Sequence, residues 1–141
     1  HCMRSIGKAE KALELMVKRA GTRVAFGKPI AKLGKNLEVI SRARIEINAM
    51  RLSVLQAAKA MDVLGNKEAR VYVSAVKAMV PEKVCSIIDQ AIQIHGATGI
   101  SQWTPLAQMY TDLRHLRFAD GPDEVHHMVV GRAEVQKYGL W

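Results

Sequence analysis

Apolar residues recur along this chain every three or four positions, the spacing that places side chains on one face of an α-helix. Glycines end the first stripe at Gly21 and the second at Gly65. Each stripe predicts an amphipathic helix that packs against the others. The three stripes are Ile6, Ala9, Leu13, Met16, Val17 and Ala20; then Leu33, Leu37, Ile40, Ala43, Ile47, Met50, Val54, Ala57, Met61 and Leu64; and last Val73, Val76, Val80, Val84, Ile87, Ala91 and Ile94.

Prolines and glycines refine these boundaries. Pro81 lies inside the third stripe, whose phase continues across it, so we predict a kinked but continuous helix. Thr22–Pro29 is interpreted as a connector, and the glycines of His95–Gly99 end the third helix. Shorter helices are predicted from about Pro105 to Leu116 and from Pro122 towards Tyr138. The predicted fold is all-α, an antiparallel up-down bundle of about five helices.

Length and composition agree with a helical chain. The 141 residues are 49% hydrophobic but only 5% aromatic, and they suit one domain over residues 1–141. Because the chain begins at His1, we interpret it as a fragment of a longer protein. No run reaches the roughly 18 apolar residues of a membrane span. Cys2 and Cys85 lack motif spacing, so we expect free thiols in an intracellular protein.

The net charge of +8 raises nucleic acid as a possible partner. The basic residues are interleaved with acids along every predicted helix, however, and the densest group lacks interleaved aromatic side chains. That group is Arg23, Lys28, Lys32 and Lys35. We therefore predict no nucleic-acid binding. The five histidines show no ligand spacing, so we predict no metal site either.

One carboxylate stands out, in the segment Arg117–His127. Pro122 suits the first position of a helix, and Asp123 and Glu124 follow where the helix dipole favours negative charge. We interpret these two acids as solvated charges on a helix face. Asp120 lies just outside that helix, beside a glycine that has no side chain to screen it. The pattern leaves two roles open for Asp120, a turn and capping residue or a catalytic base.

Two further segments also have two interpretations. In Gln93–Gly99 the glycines are either an ordinary helix end or small residues that let a flat ligand approach, with Gln93 as donor and acceptor. Arg23, beside Phe26 in the connector, either caps the preceding helix or binds a phosphate group.

Three segments in order carry a family resemblance: Arg23-Val-Ala-Phe-Gly-Lys-Pro29, Gln93-Ile-His-Gly-Ala-Thr-Gly99 and Phe118-Ala-Asp-Gly-Pro-Asp-Glu124. Together, over nearly the whole chain, they resemble the C-terminal helical domain of the acyl-CoA dehydrogenase family. The third segment is most similar to the branch that contains acyl-CoA dehydrogenase family members 10 and 11.

The resemblance implies a flavoenzyme that oxidises acyl-CoA to trans-2-enoyl-CoA. It implies that Asp120 removes the substrate α-proton while the β-hydrogen leaves as hydride to FAD. Gly121 falls where the backbone contacts the thioester carbonyl. The positions that match FAD contacts, some of them made across a subunit interface, are Arg23, Phe26, Gln93, Gly96, Pro122 and Glu124.

The resemblance also implies an N-terminal helical domain and a middle β-domain outside residues 1–141, so we expect the isolated chain to bind little FAD and to be inactive. It implies a homodimer or homotetramer, with electron-transferring flavoprotein, or oxygen in the oxidase branch, as electron acceptor. A bacterial protein would be cytoplasmic and a eukaryotic one mitochondrial or peroxisomal.

The sequence also departs from the family pattern. An aspartate replaces the usual glutamate at position 120, Pro122 replaces a threonine, Ala25 lacks a hydroxyl and Ala97 replaces a glycine. These changes keep open an alternative function, a non-catalytic oligomerisation or scaffold bundle.

Overall fold

A computed structural model describes all residues from His1 to Trp141, and most of them are helical. None of the helices combines the length and apolarity that crossing a membrane requires. The predicted all-α fold is confirmed. Its elements are α1 (Cys2–Thr22), β1 (Val24–Ala25), β2 (Lys28–Pro29), a 3-10 turn (Ile30–Lys32), α2 (Asn36–His95), a second 3-10 turn (Gly96–Ile100), α3 (Leu106–His115) and α4 (Asp123–Gln136).

Helix α2 consists of two arms. Gly65 has φ 76° and ψ 173°, outside the helical region, and separates a first arm (residues 36–64) from a second arm (residues 66–95). With this break the chain has five helical segments, as the three stripes and the two shorter predicted helices indicate. The second arm continues across the buried Pro81, as predicted, and the non-helical backbone lies at Gly65 instead.

Ion pairs between the helices show how the bundle is arranged. The Glu10 carboxylate of α1 accepts hydrogen bonds from Arg44 at 2.9 and 2.8 Å and from Arg51 at 2.7 Å, both on the first arm. These hydrogen bonds lower the pKa of Glu10 to about 2. Lys83 of the second arm pairs with Glu46 of the first at 3.1 Å, so the two arms run antiparallel.

The core contains 20 buried hydrophobic residues, most of them from the predicted stripes. Some stripe positions are exposed, which corrects the prediction for those residues. One reason is that α1 begins beside Val76, where Cys2 contacts its carbonyl oxygen at 3.5 Å. The turn at Gly65, which joins the two arms, therefore lies about 16 Å beyond the start of α1, at about 1.5 Å per residue. The exposed stripe residues are Val17, Leu37, Met61, Leu64 and Val73.

The predicted connector contains a β-hairpin that the sequence does not reveal. Val24 pairs with Pro29 and Ala25 with Lys28. The two residues between the strands, Phe26 and Gly27, have φ of 49° and 76°, the positive values of the turn that suits a two-residue hairpin. The turn leaves the Phe26 side chain 93% exposed.

Candidate active site

The loop between α3 and α4 is closed by two hydrogen bonds between its ends. The backbone N–H of Asp123 donates to the Arg117 carbonyl at 2.9 Å. Arg117 Nε donates to Asp123 Oδ2 at 2.7 Å, and this bond raises the pKa of Arg117. Asp123 is buried, with its side chain only 10% exposed. The prediction of a solvated helix-face charge is wrong for Asp123, because Arg117 neutralises it inside the loop; Glu124 is exposed.

A buried lysine of the second arm holds this loop. Lys77 is only 5% exposed, and its Nζ donates to the carbonyls of Leu116 at 2.7 Å and Gly121 at 3.2 Å. Burying an ammonium group is costly unless hydrogen bonds compensate it. Lys77 is not among the site residues predicted from the sequence. A signal was present, because the positions four residues away, Val73 and Pro81, offer no acid that could pair with Lys77 on its own helix.

Asp120 and Gly121 both have left-handed backbone conformations, with φ of 55° and 95°. Aspartate is one of the few non-glycine residues that tolerate this region. A Cβ atom at Gly121 would lie 2.8 Å from His126 Nε2, so a larger residue would collide there. The amide N–H groups of Asp120 and Gly121 make no hydrogen bond within the chain. The loop therefore presents two free donors next to a carboxylate.

The His126 side chain contacts the backbone of the Asp120–Gly121 turn. Its Nε2 lies 3.2 Å from the Asp120 carbonyl oxygen, which can only accept, so Nε2 carries the hydrogen. Its Nδ1 then accepts from the hydroxyl of the buried Ser74 at 3.2 Å. His126 and Ser74 are thus a second set of loop contacts, and neither is among the site residues predicted from the sequence.

The Asp120 side chain is 72% exposed in this chain. Its Oδ2 lies 2.5 Å from His1 Nε2, and His1 Nδ1 lies 2.9 Å from Arg4 Nη2. Asp120 Oδ1 has no partner within the chain. One oxygen of the carboxylate is thus held, while the other is free to accept a proton.

The predicted FAD contacts fall into two groups. Pro122 and Glu124 follow Asp120 directly, but Gln93 lies sixteen residues beyond Lys77 on the second arm, or about 24 Å along the helix. Arg23 follows the 21-residue helix α1, about 31 Å from its start beside Asp120.

Helix α1 and the second arm of α2 run in the same direction. Cys2 at the start of α1 lies beside Val76. Further along α1, Glu10 pairs with Arg44 of the first arm, close to Glu46, which pairs with Lys83 of the second arm. The hairpin with Arg23 and Phe26 and the helix end with Gln93 and Gly96 therefore lie at the same end of the bundle. A single chain does not bring these residues close to Asp120.

The Gly-rich helix end depends on a backbone conformation that only glycine adopts readily. Gly96 ends α2 with φ 64° and ψ −143°, outside the αL region of the usual glycine cap. The buried His95 donates from Nδ1 to the Ala91 carbonyl at 2.8 Å. A Cβ at Gly99 would lie 2.6 Å from the Ile92 carbonyl oxygen, so Gly99 is needed for close packing. Gln93 and Gly96 are both exposed.

No three His, Cys, Asp or Glu side chains of the chain lie close enough together to form a metal site. Both cysteines are free, and burial raises the pKa of the Cys2 and Cys85 thiols. Neither thiol is therefore a ready nucleophile at neutral pH.

Comparison with known proteins identifies the family. The model of the acyl-CoA dehydrogenase C-terminal domain matches residues 1–135, so this chain belongs to the acyl-CoA dehydrogenase family. The probable acyl-CoA dehydrogenase FadE2 of Mycobacterium tuberculosis is 50% identical over 137 residues, which are 97% of this chain and 34% of that protein. Acyl-CoA dehydrogenase family member 10 of Mus musculus is also 50% identical, over 96% of this chain and 13% of that protein.

A solved structure agrees with the sequence comparison. A Mycobacterium abscessus protein, assigned by its name to the acyl-CoA dehydrogenases, superposes with a TM-score of 0.96 at 51% identity, over 98% of this chain and 34% of that protein. The chain thus spans about a third or less of the relatives it matches. The predicted resemblance to this family, including its branch with members 10 and 11, is confirmed.

Proposed function

We propose that this chain is the part of an FAD-dependent acyl-CoA dehydrogenase that supplies the catalytic base. The intact enzyme would oxidise acyl-CoA to trans-2-enoyl-CoA, and Asp120 would remove the α-proton. One observation carries the proposal: the left-handed pair Asp120–Gly121 presents a carboxylate oxygen and two free amide N–H groups from the same turn. Family membership supplies the class of reaction.

The chemistry of a thioester requires these two kinds of group. Its α-proton is weakly acidic, so a base must be held in contact with it. Asp120 Oδ1 is free to take that proton. As the proton leaves, negative charge develops on the thioester carbonyl oxygen, and donors aimed at it stabilise the transition state. The free N–H of Gly121, with that of Asp120, would serve as these donors.

FAD, when bound, would accept the hydride that leaves the β-carbon. Arg23 fits a pyrophosphate contact, because it is exposed and forms no ion pair within the chain. Phe26 would contact the cofactor from the rigid hairpin turn. The proposed contacts are completed by Gln93 and Gly96 at the same end of the bundle and by Pro122 and Glu124 beside the base.

The distance between the two groups of predicted FAD contacts indicates how subunits would assemble. About 24 Å along the second arm separates Gln93 from the loop that Lys77 holds. We therefore propose that Arg23, Phe26, Gln93 and Gly96 contribute in part to the FAD site of a neighbouring subunit in a homodimer or homotetramer. Acyl-CoA as substrate, electron-transferring flavoprotein as acceptor and an intracellular location belong to the same proposal.

The test uses the intact protein. Asp120→Asn should abolish the bleaching of bound FAD by acyl-CoA while FAD stays bound. Asp89→Asn, at an exposed aspartate without a partner, is the matched control and should bleach normally. Normal bleaching by Asp120→Asn would place the base elsewhere. An unaltered protein that binds acyl-CoA but never reduces FAD would instead support the scaffold alternative, which the aspartate and Pro122 favour.

The isolated chain gives a second test. We expect it to purify without FAD and without activity, because most of the length of its relatives lies outside it. Equimolar FAD absorbance in the purified chain would contradict this expectation.

A further inference from the structure

We propose that His1 is a positioning residue for Asp120 and that Arg4 fixes the tautomer of its ring. This inference rests on the proposed function, in which Asp120 is the base. The observation is a continuous line of contacts, from Arg4 Nη2 to His1 Nδ1 at 2.9 Å and from His1 Nε2 to Asp120 Oδ2 at 2.5 Å.

The donors and acceptors of this line can be assigned. A guanidinium group only donates hydrogen bonds, so Arg4 requires that His1 Nδ1 be an unprotonated acceptor. The remaining proton of the neutral imidazole is then on Nε2, which donates to the Asp120 carboxylate. Arg4 therefore selects the one neutral tautomer of His1 that can hold Asp120.

The backbone of His1 is itself fixed. Its carbonyl accepts from the Ser5 amide at 2.9 Å and from the Ser5 hydroxyl at 2.7 Å, and Ser5 is buried. Arg4 forms no ion pair with any acid of the chain, so its contact with His1 does not compete with a carboxylate. The imidazole thus extends from a fixed backbone and is oriented at both ring nitrogens.

The contact with His1 restricts the orientation of the Asp120 carboxylate. With Oδ2 held by His1, rotation of the carboxylate is restricted, and Oδ1 keeps one orientation. Aspartate is one methylene shorter than the family's glutamate, so its reach leaves little tolerance. A displacement of about 1 Å costs on the order of a hundredfold in rate. His1 would supply the restraint that the shorter side chain needs.

The test measures single-turnover reduction of FAD in the intact protein at saturating acyl-CoA. His1→Leu should slow reduction by about 10- to 100-fold, with FAD content, melting temperature and acyl-CoA affinity unchanged. His1→Gln, whose amide nitrogen can donate from nearly the Nε2 position, should recover most of the rate. His127→Leu, at an exposed histidine of α4, is the control and should react at the normal rate.

A double-mutant cycle tests the role of Arg4. Arg4→Leu should slow reduction in the wild-type background and have no further effect when His1 is already leucine, because Arg4 acts only through His1. Equal losses in His1→Leu and His1→Gln, a normal rate in His1→Leu, or additive losses with Arg4→Leu would each overturn the inference.

Asp120→Asn, measured alongside, separates the two proposals. If it still reduces FAD, the proposed function and this inference both fail. If it is inactive and His1→Leu reacts at the normal rate, only the positioning role fails.

Discussion

Replacing Lys77 with methionine would test how the active-site loop is held. Methionine keeps most of the apolar stem of the lysine but lacks the ammonium group. The substitution removes the donor to the Leu116 carbonyl, which is buried, and to the Gly121 carbonyl, which is partly buried. The packing around the stem is otherwise preserved, so the effect reports the two hydrogen bonds.

Two terms set the magnitude. A buried carbonyl left without a donor costs about 1–3 kcal/mol, which applies fully to Leu116, while water can partly replace the donor at Gly121. The substitution also removes the cost of burying an ammonium group, which offsets part of this loss. We expect a net loss of about 1–2 kcal/mol in the free energy of unfolding. With a urea slope of about 2 kcal/mol per molar, the middle of the usual range, the midpoint should fall by roughly 0.5–1 M.

The assay is urea denaturation of the chain followed by circular dichroism, with hydrogen exchange of the Asp123 amide as a local probe. That amide bonds to Arg117 across the loop, so its exchange should accelerate when the loop opens. Lys83→Met is the control, because Lys83 forms a part-exposed pair with Glu46, worth less than about 1 kcal/mol. Equal midpoints for Lys77→Met and the wild type, with unchanged exchange at Asp123, would refute the reasoning.

Three further substitutions test other contacts. Gly121→Ala adds a Cβ 2.8 Å from His126 Nε2 at a φ of 95°, so it should lower the free energy of unfolding by about 1–3 kcal/mol, measured by urea denaturation. Gly99→Ala should cost a similar ~1–3 kcal/mol in the same assay, because its Cβ would meet the Ile92 backbone at 2.6 Å. Glu10→Gln should cost about 1 kcal/mol at neutral pH after allowance for solvent screening. Since the folded-state pKa of Glu10 is lowered from 4.5 to about 2, this loss should shrink as pH falls from 4.5 towards 2; a loss that stays constant over that range would contradict the assignment.

Much of the fold could be predicted because helical periodicity is local. Gly65 and Gly96 mark helix ends in sequence and in structure alike. Burial depends on neighbouring helices, so Leu64 could not be identified as exposed from its own stripe. The hairpin was missed for a similar reason, since strands of two residues are too short for a recognisable alternation.

The site was predictable only where its residues are adjacent in sequence. Asp120 and Gly121 form one turn, and their residue types suit positive φ. Lys77 and His1 meet that turn across 44 and 119 positions, and no local pattern encodes such contacts. Asp123 was misassigned because helix-dipole reasoning predicts where an acid is favourable, but not that Arg117 folds back onto it.

The way the loop is held bears on the choice between enzyme and scaffold. A bundle that served only to join subunits could end α3 and begin α4 with an ordinary solvated turn. This chain instead buries an ammonium group at Lys77, which is costly, and keeps Asp120 in a left-handed conformation at about 1–3 kcal/mol. Backbone strain of this kind clusters at functional sites. Because the buried Lys77 and the strained turn fix the backbone on both sides of one exposed carboxylate, they favour Asp120 as a catalytic base over Asp120 as a cap.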